Sequence, residues 1–228
     1  MTEPQFINIE TELQKKESVS ILGGGINIPY GTITLIYGNP RAGKTVLASD
    51  IGKKVLEKNQ NILILDFEKR FLRSPMGEFL EKNNKKDNCY IIQTREGELF
   101  LSKEKFKEIV KEKKIKLVIV DSIIKGFGEI EHHKTRAKLI RKNMVLFQDL
   151  SRELELIFIV ISQIYTHNKD SDVIGGKAIL YYSDMILKLR KGRANKRIIE
   201  KIGMEEDREL SFDILRSGEI RGGNEGVD

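Results

Sequence analysis

Apolar residues occur along the chain in two rhythms. Short, nearly continuous runs cover Thr32–Gly38 (TITLIYG), Asn61–Phe67 (NILILDF), Cys89–Gln93 (CYIIQ), Lys116–Ser122 (KLVIVDS) and Leu156–Gln163 (LIFIVISQ). Runs without polar alternation suit strands covered on both faces, as in a parallel sheet. Between them, Gly43–Lys58, Phe71–Asn83, Ser102–Lys114 and Lys134–Leu154 are longer and amphipathic, and are predicted as helices. Strand–helix alternation predicts an α/β fold with an open, twisted, mostly parallel sheet flanked by helices. After Gln163 the rhythm changes. Ile164–Lys177 (IYTHNKDSDVIGGK) is polar and glycine-containing, which predicts a mobile loop. Asp184–Lys191, Lys196–Ile202 and Leu210–Arg216 then follow with short, turn-rich links, predicting an antiparallel C-terminal extension. Residues 18–220 read as one core, residues 1–17 as an N-terminal tail or oligomerisation segment, and residues 221–228 as a flexible C-terminal tail.

One link between a predicted strand and helix carries chemistry. Gly38-Asn39-Pro40-Arg41-Ala42-Gly43-Lys44-Thr45 has a glycine, four free positions and Gly-Lys-Thr. In a strand–loop–helix context, backbone N–H groups of such a loop and of the helix start, through Val46, wrap phosphates. Lys44 would reach the β- and γ-phosphates of ATP, and the Thr45 hydroxyl would ligate Mg²⁺. Three further polar residues close other buried strands, where ligands gather in such sheets. Asp121 ends LVIVD and suits the Mg²⁺ shell, the alternative being a strand-end cap. Asp66 and Glu68 end ILILDFE, and Glu68 suits a general base for water. Gln163 ends LIFIVISQ and suits a γ-phosphate sensor joined to the following loop, or only a strand-end cap.

Composition narrows the setting. The chain has 228 residues with 40 Lys+Arg against 34 Asp+Glu, a mild basic excess that permits nucleic-acid binding without requiring it. A single cysteine, Cys89, excludes an internal disulfide framework. No apolar stretch is long enough for a membrane span, and the polar start does not read as a secretory signal, so a cytoplasmic protein is expected. His132, His133 and His167 lack metal-ligand spacing. No lid with convergent arginines follows the phosphate loop, which disfavours a small-molecule kinase.

Taken in order, ILGGGINIPYGTITLIYGNPRAGKT, ILDFE, LVIVDS, VISQIYT and IGGKAILYYSDMILKLRKGRANKRI resemble the RecA-type recombinase ATPases, in particular the archaeal RadA/RadB branch. The resemblance implies a RecA-type core with ATP and Mg²⁺. Glu68 would activate water, Asp121 would hold Mg²⁺ and Gln163 would sense the γ-phosphate. The length favours RadB-like paralogues, without an N-terminal helix–hairpin–helix domain. The family's Phe-x-x-Ala assembly anchor has a counterpart at Phe6 and Ile9, with Ile in place of Ala. Lys177 stands where Asn or His is usual, and the proline of the neighbour-facing cap is missing from GMEEDREL.

The resemblance also implies two loops that contact single-stranded DNA. The first falls in the stretch holding Lys134, Arg136, Lys138 and Arg141; Lys134, Lys138, Arg141 and Lys142 share a helical face by spacing. The second holds Tyr165, suited to stacking a base, and Lys169. A third basic cluster, KLRKGRANKR, holds Lys188, Arg190, Lys191, Arg193, Lys196 and Arg197, and puts Arg193 and Lys196 at a hairpin tip. Each has a plain alternative, a solvated helix face or a charged edge strand. The expected function is an ATP-binding, weakly hydrolysing RadB-like paralogue in homologous recombination and DNA repair. It would bind single-stranded DNA and assist a full RadA-type recombinase. The alternative is a KaiC-like, nucleotide-switched regulator or scaffold without a DNA role.

Overall fold

In the computed structural model, residues 17–93, 103–125, 133–167, 170–174, 176–203, 209–215, 217 and 219–222 are described. The predicted alternation is present. Strand β3 (Thr32–Gly38) leads into helix α1 (Lys44–Glu57), followed by β4 (Asn61–Asp66), α2 (Pro75–Lys82) and β5 (Cys89–Ile92). Then come α3 (Lys103–Glu112), β6 (Ile115–Asp121), α4 (His133–Leu154) and β7 (Ile157–His167). The predicted helix over Phe71–Asn83 is split. Phe71–Arg73 is a short 3₁₀ turn, and α2 starts afresh at Pro75, with the Ser74 hydroxyl accepting from Met76 N at 3.3 Å. Proline lacks an N–H and suits a first helical position, which fixes the restart there.

The C-terminal part holds β8 (Asp170–Val173), α5 (Lys177–Tyr181), β9 (Met185–Lys191), β10 (Lys196–Ile202), β11 (Glu209–Ile214) and β12 (Ile220–Gly222). The main sheet runs in the order β12-β11-β10-β9-β3-β7-β6-β4-β5, with β8 paired to β7. Strands β9, β3, β7, β6, β4 and β5 are mutually parallel. Strand β9 is thus parallel to β3, and the antiparallel extension begins at the β9–β10 pair and ends with the short β12. A separate hairpin, β1 (Ser18–Ile21) with β2 (Ile26–Pro29), precedes β3 and was not read from the sequence.

The predicted mobile loop after Gln163 is corrected. Strand β7 continues to His167 and pairs antiparallel with β8, His167 opposite Asp170 and Ile164 opposite Val173. Backbone pairing joins the two strands, with Ile164 and Val173 at the ribbon's base packed into the core, and such a pairing leaves no apolar alternation in the sequence to read.

The continuous apolar strands sort their side chains by parity. Ile62, Ile64, Leu117, Ile119, Ile157 and Ile159 join α1, α2 and the β1–β2 hairpin in one core layer. Leu63, Leu65, Val118, Val120, Phe158 and Val160 join α3, α4 and α5 in the other. This is the period of two expected of a strand. On the second face Phe158 stacks against Phe147 with ring centroids 4.8 Å apart. The result is a central sheet packed from both sides, whose parallel strands all end at one edge.

Candidate nucleotide site

The β3–α1 link is shaped by two glycines. A Cβ on Gly38 would lie 2.1 Å from the Leu189 carbonyl oxygen, so the loop leaves the sheet where only glycine fits against β9. Gly43 has φ +95° and would place a Cβ 3.0 Å from Ile214 Cδ1. Arg41 also adopts a left-handed backbone, φ +65°. Ala42 is buried and anchors the loop, while Asn39, Pro40 and Arg41 are exposed. Lys44 opens α1; its Nζ donates to the Gly38 and Asn39 carbonyls, both at 2.9 Å. Burial pushes its pKa down, and the Asp121 and Glu68 carboxylates oppose that shift.

Strand β6 delivers Asp121 to the same place. Its Oδ2 accepts from Thr45 Oγ1 at 2.9 Å. Burial raises the Asp121 carboxyl to about 7; the Glu68 and Asp66 charges add to this, while the Thr45 hydrogen bond and Lys44 pull it down. A buried carboxylate beside a hydroxyl is a donor pair that fits Mg²⁺, which keeps several waters and takes few protein ligands.

Strand β4 supplies two acidic residues with different surroundings. Asp66 is fully buried and accepts from Arg70 N at 3.2 Å, Phe71 N at 3.0 Å and Gln93 Nε2 at 3.3 Å. It fastens the turn that follows it. Glu68 instead lines the cleft: its Oε1 accepts from Ser122 Oγ at 3.3 Å, and its Oε2 lies 3.5 Å from Arg70 Nη1. Gln163 stands on β7 directly opposite Gly38 in the parallel register. Its carbonyl accepts from Ile174 N at 2.8 Å, which ties the strand to the segment after β8.

These elements enclose a cleft of about 450 Å³ lined by Pro40, Arg41, Gly43 to Val46, Glu68, Arg70, Asp121, Ser122, Gln163, Arg197 and Ile214. A larger hollow, about 690 Å³, lies between α2 and β5, away from every motif residue. The smaller cleft is the candidate site, because the charged and hydrogen-bonding groups converge there. Its lining holds the cations of Arg41, Lys44, Arg70 and Arg197 against the carboxylates of Glu68 and Asp121. That excess of positive charge fits a polyanion. The glycine cradle, the Thr45–Asp121 pair and a buried Arg197 Nε without an acceptor among the described residues fit a nucleoside triphosphate with Mg²⁺.

Three lining residues were missed in the sequence. Arg70 and Ser122 sit one or two positions beyond Glu68 and Asp121 and carried no motif signal. Arg197 was read only as one of a run of hairpin cations, since its approach to Gly43 depends on the pairing of distant strands.

The basic candidates emerge at the same edge as the phosphate loop, by topology. Strand β9 runs parallel to β3, so the turn after it, with exposed Arg193 and Lys196, lies at that edge. Helix α4 starts there because it follows β6. Lys134, Lys138, Arg141 and Lys142 are exposed along it, and Arg141 Nε donates to the Tyr182 hydroxyl at 3.4 Å. Arg136 is half-buried, one turn before the buried Ile140, and is not on that stripe. Tyr165 lies on the β7–β8 ribbon; its side chain, like Lys169, Phe6 and Ile9, lies outside the described residues. Cys89 is half-buried on β5, and burial pushes its thiol up to about 12. Among the described residues, no helix is long and apolar enough to cross a membrane.

Known proteins share this chain's pattern. It is 28% identical over 186 residues to the DNA repair and recombination protein RadB of Thermococcus sibiricus, covering 78% of this chain and 79% of that one. It is 27% identical over 180 residues to RadB of Methanosphaera stadtmanae, covering 75% and 77%. Against protein RecA of Ureaplasma parvum it is 26% identical over 196 residues, 79% of this chain but 57% of RecA. The chain thus spans little more than half the length of the RecA proteins it matches. The Rad51 family model matches residues 4–220, and with the RecA-type sheet and the RadB relatives this establishes the chain as a RadB-like member of the Rad51 family.

Proposed function

We propose that the protein is an ATP-binding, slowly hydrolysing recombinase paralogue that uses nucleotide state to control single-stranded DNA binding, and that it assists a full RadA-type recombinase in homologous recombination and repair. Supporting this most directly is the meeting, at one cleft, of Lys44, the Thr45–Asp121 pair, Glu68 and Gln163, brought from four strand ends. The loop amides and Lys44 hold the phosphates. Thr45 and Asp121 hold Mg²⁺, which neutralises charge on the phosphate oxygens. Glu68, within reach of Ser122 and Arg70, takes a proton from the attacking water. Gln163 bonds the γ-phosphate and passes its presence along β7 to the ribbon.

The DNA part of the reading is supported by the exposed cations of α4 and of the β9–β10 turn on the edge that carries the phosphate loop. Phosphate contacts of this kind give binding that weakens steeply with salt. The test is ATPase activity with and without single-stranded DNA, with DNA affinity measured at two salt concentrations. Activity and salt-sensitive DNA binding are expected. ATP binding without any DNA binding would favour the KaiC-like regulator; absence of ATP binding would overturn both readings.

A further inference from the structure

Strand order separates the two flanks of the phosphate loop. Asp121 and Glu68 belong to β6 and the end of β4, beyond β7 on one side of β3; β9, β10 and β11 lie on the other side. Arg197 of β10 enters the cleft from this second flank. Its side chain runs past Gly43: a Cβ built there would lie 3.6 Å from Arg197 Cγ and 3.7 Å from Nε. Ile214 of β11 closes the same spot. Arg197 Nη1 donates to the Lys196 carbonyl at 2.9 Å, but the buried Nε has no acceptor among the described residues. A buried donor left unpaired costs about 1–3 kcal/mol, and such groups in native proteins call for an explanation.

We propose that Arg197 is a nucleotide-binding residue for the nucleoside end of the ligand, its Nε donating to an α-phosphate oxygen while Ile214 packs against the base. The direction follows from the flanks. The Thr45–Asp121 pair and Glu68 fix the terminal phosphate on one side, so the nucleoside leaves toward β10 and β11. The inference rests on the phosphate loop holding a nucleotide. It assigns to this arginine a contact that ATP and ADP share.

The test compares the wild-type chain with Arg197→Met, which keeps the stem and removes the donors. Calorimetric titration with ATP and ADP in Mg²⁺ should show both affinities falling by a similar factor, roughly ten- to a hundredfold for a charge-assisted hydrogen bond. Because Nε is an orphan without ligand, the variant's melting temperature without nucleotide should stay level or rise, while its rise on adding nucleotide shrinks. A loss confined to ATP, a collapsed melting temperature without nucleotide, or unchanged affinities would each overturn the proposal. Wild-type protein that binds neither nucleotide would overturn the phosphate-loop reading itself, and the two failures are thereby distinguished.

Discussion

The two flanks of β3 differ in what they bring to the cleft. On the β7–β6–β4 side the acidic and amide groups, with Arg70 beside Glu68, stand at or just beyond strand ends and are held by short contacts: Thr45 to Asp121, Ser122 to Glu68, and β7 to Ile174. On the β9–β10–β11 side the lining groups among the described residues are one arginine at the start of β10 and one isoleucine at the end of β11. Under the proposed function, the first flank would act on a phosphoryl bond and the second would grip the nucleotide. Rate and affinity are then expected to be separable, because the residues serving each lie on opposite sides of the loop.

The largest effect expected is from Lys44→Ala, on the axis between the flanks. Removing the cation that faces both carboxylates should abolish nucleotide binding or turnover, read by ATPase assay and titration. Glu68→Gln should cut kcat by roughly a hundred- to ten-thousandfold while ATP affinity stays near wild type. Since Arg197→Met lowers nucleotide affinity and Glu68→Gln leaves it near wild type, the two variants separate on binding; a Glu68 variant that retains turnover would break the comparison.

Asp121 gives a smaller effect with a definite sign. Its carboxyl is raised to about 7 by burial, so between the ordinary value near 4 and about 7 the native state holds a proton that the unfolded chain has lost. That contribution to stability is full at low pH and is lost as pH rises through about 7. In EDTA, Asp121→Asn should therefore gain melting temperature relative to wild type as pH rises from 5 to 8. With Mg·ATP the order should reverse, since the wild-type carboxylate is then used. The same proton competition should make Mg·ATP affinity of the wild type rise across neutral pH, and a flat profile would remove Asp121 from that role.

The smallest effect lies beyond the cleft. Lys138→Glu with Arg141→Glu should weaken single-stranded DNA binding by about tenfold at low salt and flatten its salt dependence, with ATP affinity unchanged. Unchanged DNA affinity would shift the reading toward a regulator without a DNA role.

Legibility in the sequence followed the same division. The acidic flank was readable because each of its residues ends an apolar run, and chain order alone locates it. Glu68 was read ahead of Asp66 as the base; in the structure burial tells the two apart, since Asp66 accepts from Arg70 N, Phe71 N and Gln93. Arg197 was hidden because its meeting with Gly43 depends on β9 joining β3 in parallel, and nothing local to KLRKGRANKR reports that. The β1–β2 hairpin was hidden by its glycine run, where Gly23 and Gly24 take positive φ. The ribbon after Gln163 was hidden because a polar two-stranded pairing looks like loop.

That ribbon is the root of a cantilever. Strand β7 is clamped where Gln163 sits opposite Gly38, with Ser162 Oγ donating to the Ile174 carbonyl at 2.7 Å and Ile174 N returning a bond to Gln163 O. Beyond the clamp, four more residues reach His167, roughly 13 Å of paired backbone at 3.3 Å per residue. A beam fixed at one end turns a small tilt at its root into a larger sweep at its tip. A sub-ångström shift at Gln163, were nucleotide to cause one, would be geared up mechanically, with no hinge residue required between them.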